Sequence, residues 1–295
     1  HSRAELENAV EVLNFPVILK AVDLMGSRGI FRCDTKEEVF AHYTDTMNAT
    51  GKDYCLLEEF IEGTMLGCEA MLSNGKLLYC LPNNIENYPA HVPTPIGHSV
   101  PYKKQDTLGE EVEKQVLLAI RALGMDNCPV NCDLMEKDGK IYVIEITGRA
   151  GGNCLPEMVG IYYGIDYYEA IVRLAMDMQA EELFQDQKNR FQNVAQRKCG
   201  ERPENTDGNL NRVTPNLSHI LTSDRDGILK AIHNDNEASP DLLDLSFNVE
   251  PGEEIRHYEN GRDRLGQVII CGETLDAGEQ RLNEVLSKLN IEFIS

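Results

Sequence analysis

Long apolar runs are missing from this chain. None approaches the roughly 20 residues that a membrane-spanning helix needs, so no segment reads as transmembrane. The start carries no signal-peptide pattern and reads instead as the inside of a helix. Basic residues are scarce, 28 Lys and Arg against 49 Asp and Glu, for a net charge of −21. That balance argues against nucleic acid and anionic membrane as partners, because both demand a basic footprint. An anionic nucleotide would need local basic groups and a metal. No CxxC pair occurs among the nine cysteines, whose count is odd and which lie mostly in strand-like apolar runs. They read as buried, reduced thiols of a cytoplasmic protein, and the close pair Cys128 and Cys132 lacks zinc-ligand company. There is no GxxxxGK[ST] phosphate loop, no internal repeat and no readable Ser-His or Cys-His arrangement for nucleophilic catalysis.

What is present suits a globular α/β protein of α+β type. At 295 residues, 42% apolar and 26% charged, the chain has material for two or three lobes. Ser2 and Glu5 form a capping box before an amphipathic helix with Leu6, Ala9, Val10 and Leu13 on one face, broken at Phe15-Pro16. VILKA (17–21) reads as a buried strand and DLMGSRGI (23–30) as a glycine loop. A short strand, a helix capped by Thr35 and Glu38, and the strand YCLLEEFI (54–61) complete a small lobe, residues 1–62. A larger lobe, residues 63–184, opens on a hairpin around Asn74-Gly75. Its stretch 82–108, which includes PAHVPTPIGHSVP, reads as a long irregular loop. A helix over 110–123 stops at Gly124, and a later one is capped by Asp166 and Glu169. Residues 185–295 read as a polar linker and a closing domain, with β segments around Ile220, Ile228, Ile255 and Val268. A final Thr274-capped helix carries Leu282, Val285, Leu286 and Leu289.

The densest chemistry lies in VNCDLMEKDGKIYVIEITGRAGGN, residues 130–153. Two strand-like runs flank Asp138-Gly139, a strong hairpin signal, and bring one carboxylate each, Asp133 and Glu145. Two acids held side by side on rigid strands make a poor core but a good cradle for Mg²⁺ or Mn²⁺. Arg149 would face whatever anion the metal holds, the layout of a phosphoryl-transfer site. Register decides the matter. A two-residue turn pairs Asp133 with Ile144 and sends Glu145 to the opposite face, whereas a three-residue loop or a bulge brings the acids together. In isolation the segment also reads as a surface hairpin with two solvated acids.

Elsewhere, Lys20 ends an apolar strand just before the glycine loop, a suitable point charge for a phosphate. Gly26, Ser27, Arg28 and Gly29 have the composition of a phosphate flap. Glu58-Glu59-Phe60-Ile61-Glu62-Gly63 ends a strand as a hinge, where backbone can read an adenine edge and a carboxylate can take ribose hydroxyls. His98 reads either as a solvated loop histidine or as a group orienting a carboxylate substrate.

The succession LKAVDLMGSRGI, LLEEFIEG and CDLM…VIEITGR resembles the ATP-grasp enzymes over about residues 1–180. The resemblance implies a two-lobed fold, with ATP as the nucleotide and Mg²⁺ or Mn²⁺ on Asp133 and Glu145. It further implies that Lys20 touches ATP phosphate, Glu59 and Ile61 meet adenine, and Met135 floors the adenine pocket. Arg149 would steady the transferred phosphate or acyl-phosphate. The pattern departs from the family at Thr147, where asparagine is usual as a further metal ligand. It departs again at Met65, where a ribose-binding glutamate is common; Glu62 is the substitute. The segment NVEPGEEI…RLGQVIICGETLDAGEQRLNEVL looks like the closing domain of ATP-grasp carboxylate–amine ligases and biotin-carboxylase-like members. Such enzymes begin with an α/β domain that this chain is expected to lack.

The expected activity is therefore ATP-dependent carboxylate–amine ligation through an acyl-phosphate. The partners would be small-molecule carboxylates and amines, with amino acids the candidate class and a homodimer the candidate assembly. Two alternatives stand beside it: a bicarbonate-phosphorylating, biotin-carboxylase-like or carbamoyl-phosphate-type subunit, and a nucleotide-binding regulator without turnover.

Overall fold

The computed structural model describes residues 2–24, 28–89, 94–184 and 213–294. Gly26, Ser27 and the polar stretch 185–212 lie outside these residues. No helix among the described residues is long and apolar enough to cross a membrane.

A three-stranded antiparallel sheet forms the first layer, with β1 (Val17–Lys20) between β2 (Ile30–Cys33) and β3 (Leu56–Glu59). Strand periodicity sorts β1: Val17 and Leu19 are fully buried with Leu6 and Val10 of α1 (Arg3–Val12) and Val39 of α2 (Lys36–Ala49). Lys20 points to the other face. Ser2 caps α1 with the full reciprocal box, and Thr35 caps α2 by accepting from the Glu38 N–H.

The second layer is an eight-stranded sheet. Its members are β4 (Thr64–Ser73), β5 (Lys76–Tyr88), β6 (Thr94–Val100), β7 (Pro129–Lys137), β8 (Lys140–Thr147), β9 (Asn216–Leu221), β11 (Leu242–Phe247) and β13 (Gly266–Cys271). They lie in the order β11-β13-β9-β6-β5-β4-β7-β8. Alternation again decides what each face does. Leu66, Cys68 and Ala70 of β4 and Val130, Cys132 and Leu134 of β7 pack on Val112, Val116 and Ile120 of α3 (Gln105–Leu123). The opposite face is split. Its apolar half, Met71, Tyr79, Leu81 and Val100, lies under α4 (Leu155–Tyr163), α5 (Tyr167–Ala175) and α6 (Glu181–Phe184). Its other half is polar and carries the acids.

The described residues of the stretch 82–108, which leave out 90–93, do not form the irregular loop its prolines suggest. Both β5 and β6 pass through it. Pro82 stands just before the β5–β6 ladder begins at Asn84↔Ser99, where the missing N–H leaves no gap on that side. The helix expected from residue 110 starts at Gln105, and Leu289, expected on the last helix, opens a strand. Gly124 does end α3, in a left-handed cap.

Past residue 212 the chain rejoins the same sheet: β9 pairs with β6 from Gly97↔His219 to Val100↔Asn216. A small sheet of β12 (Glu254–Ile255), β10 (Gly227–Asn234) and β14 (Leu289–Phe293) and the helix α7 (Leu275–Ser287) complete this end. Gly266 is a critical fit, because a Cβ there would lie 2.1 Å from the Ser246 carbonyl oxygen of the neighbouring strand. Gly266→Ala should cost about 2–3 kcal/mol and lower Tm by several degrees. An unchanged melting curve would contradict the β11–β13 pairing.

Candidate active site

The hairpin resolves its register with a bulge. Asp138 and Gly139 both have positive φ, 53° and 75°, and Lys137 pairs with Lys140, so the turn has two residues. Left alone, that turn would pair Asp133 with Ile144. A shift between Asp133 and Leu134 intervenes: Leu134 pairs with Val143 and Asp133 with Glu145, leaving Ile144 as the extra residue. The two carboxylates therefore stand on one face of adjacent strands.

They close a polar row across the sheet. Asn83 of β5 opposes Gly67 of β4, Gly67 opposes Asp133, and Asp133 opposes Glu145. One step along, Glu69 opposes Asn131 and Asn131 opposes Thr147. Burial and the facing Glu145 push the Asp133 carboxyl up to about 6, against the opposing pull of Arg149 and Lys20. Lys20 of the small sheet thus reaches the field of the acidic row, while pairing with Glu58 at 2.6 Å. Glu69 is 1% exposed, and burial raises its carboxyl to about 8 despite hydrogen bonds from Gly151 and Asn131 and the nearby Arg149.

The other expected residues divide. Arg149 is exposed just past β8, its Nη1 donating to the Ala150 carbonyl at 2.7 Å. Met135 lies two residues from Asp133 on the same face, packed beside Gly63, where a Cβ would lie 2.3 Å from the Glu136 carbonyl. Gly29 has φ +66° and accepts at its carbonyl from the Ala21 N–H, closing the base of the glycine loop that also holds Arg28. Ile61 is half-buried and Glu62 exposed. Glu59 is committed elsewhere, its Oε1 accepting from the Asn14 N–H at 3.0 Å and the Asn14 Nδ2 at 2.6 Å. Of the hinge acids Glu58, Glu59 and Glu62, Glu58 is the one whose carboxylate pairs with Lys20.

His98 is not the solvated loop residue that was one of its two readings. It lies in β6, 7% exposed, with Nδ1 2.9 Å from Asn83 Oδ1, and burial lowers its pKa to about 4. Sequence reasoning passed over Asn83, Asn131 and Glu69. Glu69 had a signal, a lone acid inside the apolar run CEAML, whereas the asparagines had none.

The donor set fits a hard cation. Two carboxylate oxygen donors stand together with their repulsion uncompensated on the hairpin itself. Among the described residues there is no group of three or more His, Cys, Asp and Glu that would cage a metal by protein alone. Mg²⁺ is commonly held by one or two carboxylates completed by substrate phosphates.

Residues 13–157 match the family described as ATP-grasp domain, and residues 219–293 match L-amino acid ligase C-terminal domain 2. Phosphoribosylglycinamide synthetase from Anaerococcus prevotii is 35% identical, with a TM-score of 0.71 over 99% of this chain and 68% of that one. This chain belongs to the ATP-grasp family. The L-amino acid ligase from Bacillus licheniformis, 19% identical, shares the fold at a TM-score of 0.77, over 100% of this chain and 66% of that one. The uncharacterized protein y4rH of Sinorhizobium fredii is 23% identical over 299 residues, 97% of this chain and 55% of its own length. The chain thus spans about half of that curated relative. Members of the ATP-grasp family are ATP-dependent ligases that use Mg²⁺.

The raised Asp133 pKa carries a sign. Above about 6 the folded protein bears an ionised, crowded carboxylate that the unfolded chain holds more cheaply, so this group's contribution to stability is lost as pH rises through 6. Asp133→Asn should therefore stabilise the metal-free protein at pH 8 by about 1–3 kcal/mol, and the gain should shrink at pH 5. Calorimetry at the two pH values checks this; equal or lower stability of the variant at pH 8 would contradict it.

Proposed function

We propose that this ATP-grasp chain catalyses ATP-dependent carboxylate–amine ligation through an acyl-phosphate. The observation that carries the reading is the bulge that sets Asp133 against Glu145 within the fields of Arg149 and Lys20. The match of residues 219–293 to an L-amino acid ligase domain supports amino acids as the substrate class.

In this reading residues 1–62 and 63–184 clasp the nucleotide and 185–295 close the site. Lys20 and the 26–29 loop hold phosphate, Ile61 and the Glu59 backbone meet adenine over Met135, and Glu58 or Glu62 takes the ribose. Asp133 and Glu145 would hold Mg²⁺ or Mn²⁺, which neutralises phosphate charge when bound. A substrate carboxylate oxygen attacks the γ-phosphorus and ADP leaves. The amine lone pair then attacks the acyl carbon, phosphate departs, and the nitrogen loses a proton to give the amide. Arg149 supplies a planar fork to the acyl-phosphate. His98, neutral at ordinary pH, orients substrate by hydrogen bonding and not by charge.

The test is ADP release by the full-length protein over amino acids, singly and in pairs, with bicarbonate in a parallel arm. Amino-acid-dependent release is expected; release with bicarbonate alone, or nucleotide binding without release, would overturn the reading. Glu145→Gln, which removes a charge and keeps shape, should lower turnover by about 100-fold or more while Tm stays within a few degrees. Arg149→Lys should lose most activity, because an ammonium cannot reproduce the fork. Near-parental rates for both variants would overturn the site.

A further inference from the structure

Glu69 is an acidic residue buried in the middle of β4, where the polar half of the sheet meets the apolar half beneath α4. Its two oxygens take different partners. Oε1 accepts from Asn131 Nδ2 at 2.7 Å, and Oε2 accepts from the Gly151 backbone N–H at 3.1 Å. One partner belongs to the acidic hairpin and the other to the turn that follows it.

The turn is built to come this close. A Cβ on residue 151 would lie 2.6 Å from Glu69 Oε1 and 2.5 Å from Leu155 Cδ1, so any larger residue would displace one of these side chains. Beyond it, Asn153 is tied to the sheet by Nδ2 to the Pro95 carbonyl at 3.1 Å and by its own carbonyl, which accepts from Ser218 Oγ at 2.9 Å. Arg149 lies between the end of β8 and the Gly151 anchor. Its guanidinium bonds the carbonyl of Ala150, so its aim follows the path of this backbone. The Arg149 charge is also felt at Glu69.

We propose that Glu69 is a positioning residue, whose buried carboxyl group accepts from the Gly151 N–H, pins that backbone to β4 and thereby aims Arg149 at the acyl-phosphate. The proposal rests on the role given to Arg149 above. Glu69 itself is sealed from substrate and takes no part in the chemistry. A displacement of about 1 Å in such a group is enough to cost on the order of 100-fold in rate.

The test combines a double-mutant cycle with hydrogen exchange on the full-length protein. Glu69→Leu should speed exchange of the Gly151 amide while exchange in β7 and β8 stays slow. It should lower kcat about 100-fold with KM for ATP nearly unchanged. Glu69→Gln keeps the shape and one acceptor, so it should fold even where the leucine variant does not and lose about 10-fold in kcat, with intermediate exchange at Gly151. In an Arg149→Ala background either change should cost almost nothing further, because the group it positions is gone. Parental exchange at Gly151 in the Gln variant, or losses that simply add to that of Arg149→Ala, would overturn the proposal. Absence of amino-acid-dependent turnover in the parent would instead remove the ligase reading; the exchange result would still decide the pinning, and parental exchange there would overturn it too.

Discussion

Two like charges held on one face of a hairpin are the constraint around which this structure is organised. A two-residue turn would have separated Asp133 and Glu145, and the extra residue Ile144 undoes that separation. Burial first, and the facing Glu145 second, raise the Asp133 pKa, and hydrophobic packing relieves neither. What offsets them is positive charge, and the two sources that act on Asp133 come from different places. Lys20 comes from the small sheet and Arg149 from the turn after β8. A divalent cation with a nucleotide would do the same more strongly, which is why the site reads as poised for Mg-ATP.

The rest of the sheet makes that arrangement rigid. Alternation along β4 and β7 sends Leu66, Cys68, Ala70, Val130, Cys132 and Leu134 into the α3 core. Gly67, Glu69, Asn131 and Asp133 are thereby left on the opposite face. A one-residue slip of either strand would exchange these sets and bury the acids under α3. Register is thus held by the core and used by the site. Joining β9, β13 and β11 to the same sheet extends this frame into the C-terminal part, so the turn carrying Arg149 is anchored from both sides, by Glu69 of β4 and by Ser218 of β9.

Much of this was legible in the residues. Local signals with a single physical meaning survived into the structure: the Ser2–Glu5 box, the Asp138-Gly139 turn and the Gly124 cap. The need for a bulge between Asp133 and Glu145 followed from counting residues, although which device would supply it did not. Signals that depend on neighbours failed. Prolines 82 and 95 suggested a loop because their tolerance depends on where the adjacent ladder begins, a property of pairing that one strand does not reveal. Leu289 fitted the helical period but belongs to β14, where pairing with β10 outweighs the local pattern. The hydrogen bond that holds the Glu59 carboxylate to Asn14, 45 residues away, has no local signal in the sequence. Glu69 and Asn83 owe their importance to cross-strand partners, and pairing partners are not written in local composition.

The proposed ligase reading requires Asp133 and Glu145 to hold a divalent cation together with nucleotide. Titration of the full-length protein with Mn²⁺, followed by electron paramagnetic resonance with and without a non-hydrolysable ATP analogue, tests it most directly. Tight Mn²⁺ binding is expected only with nucleotide present, and it should be lost in Asp133→Asn. Mn²⁺ binding that ignores the nucleotide, or that persists undiminished in that variant, would contradict it.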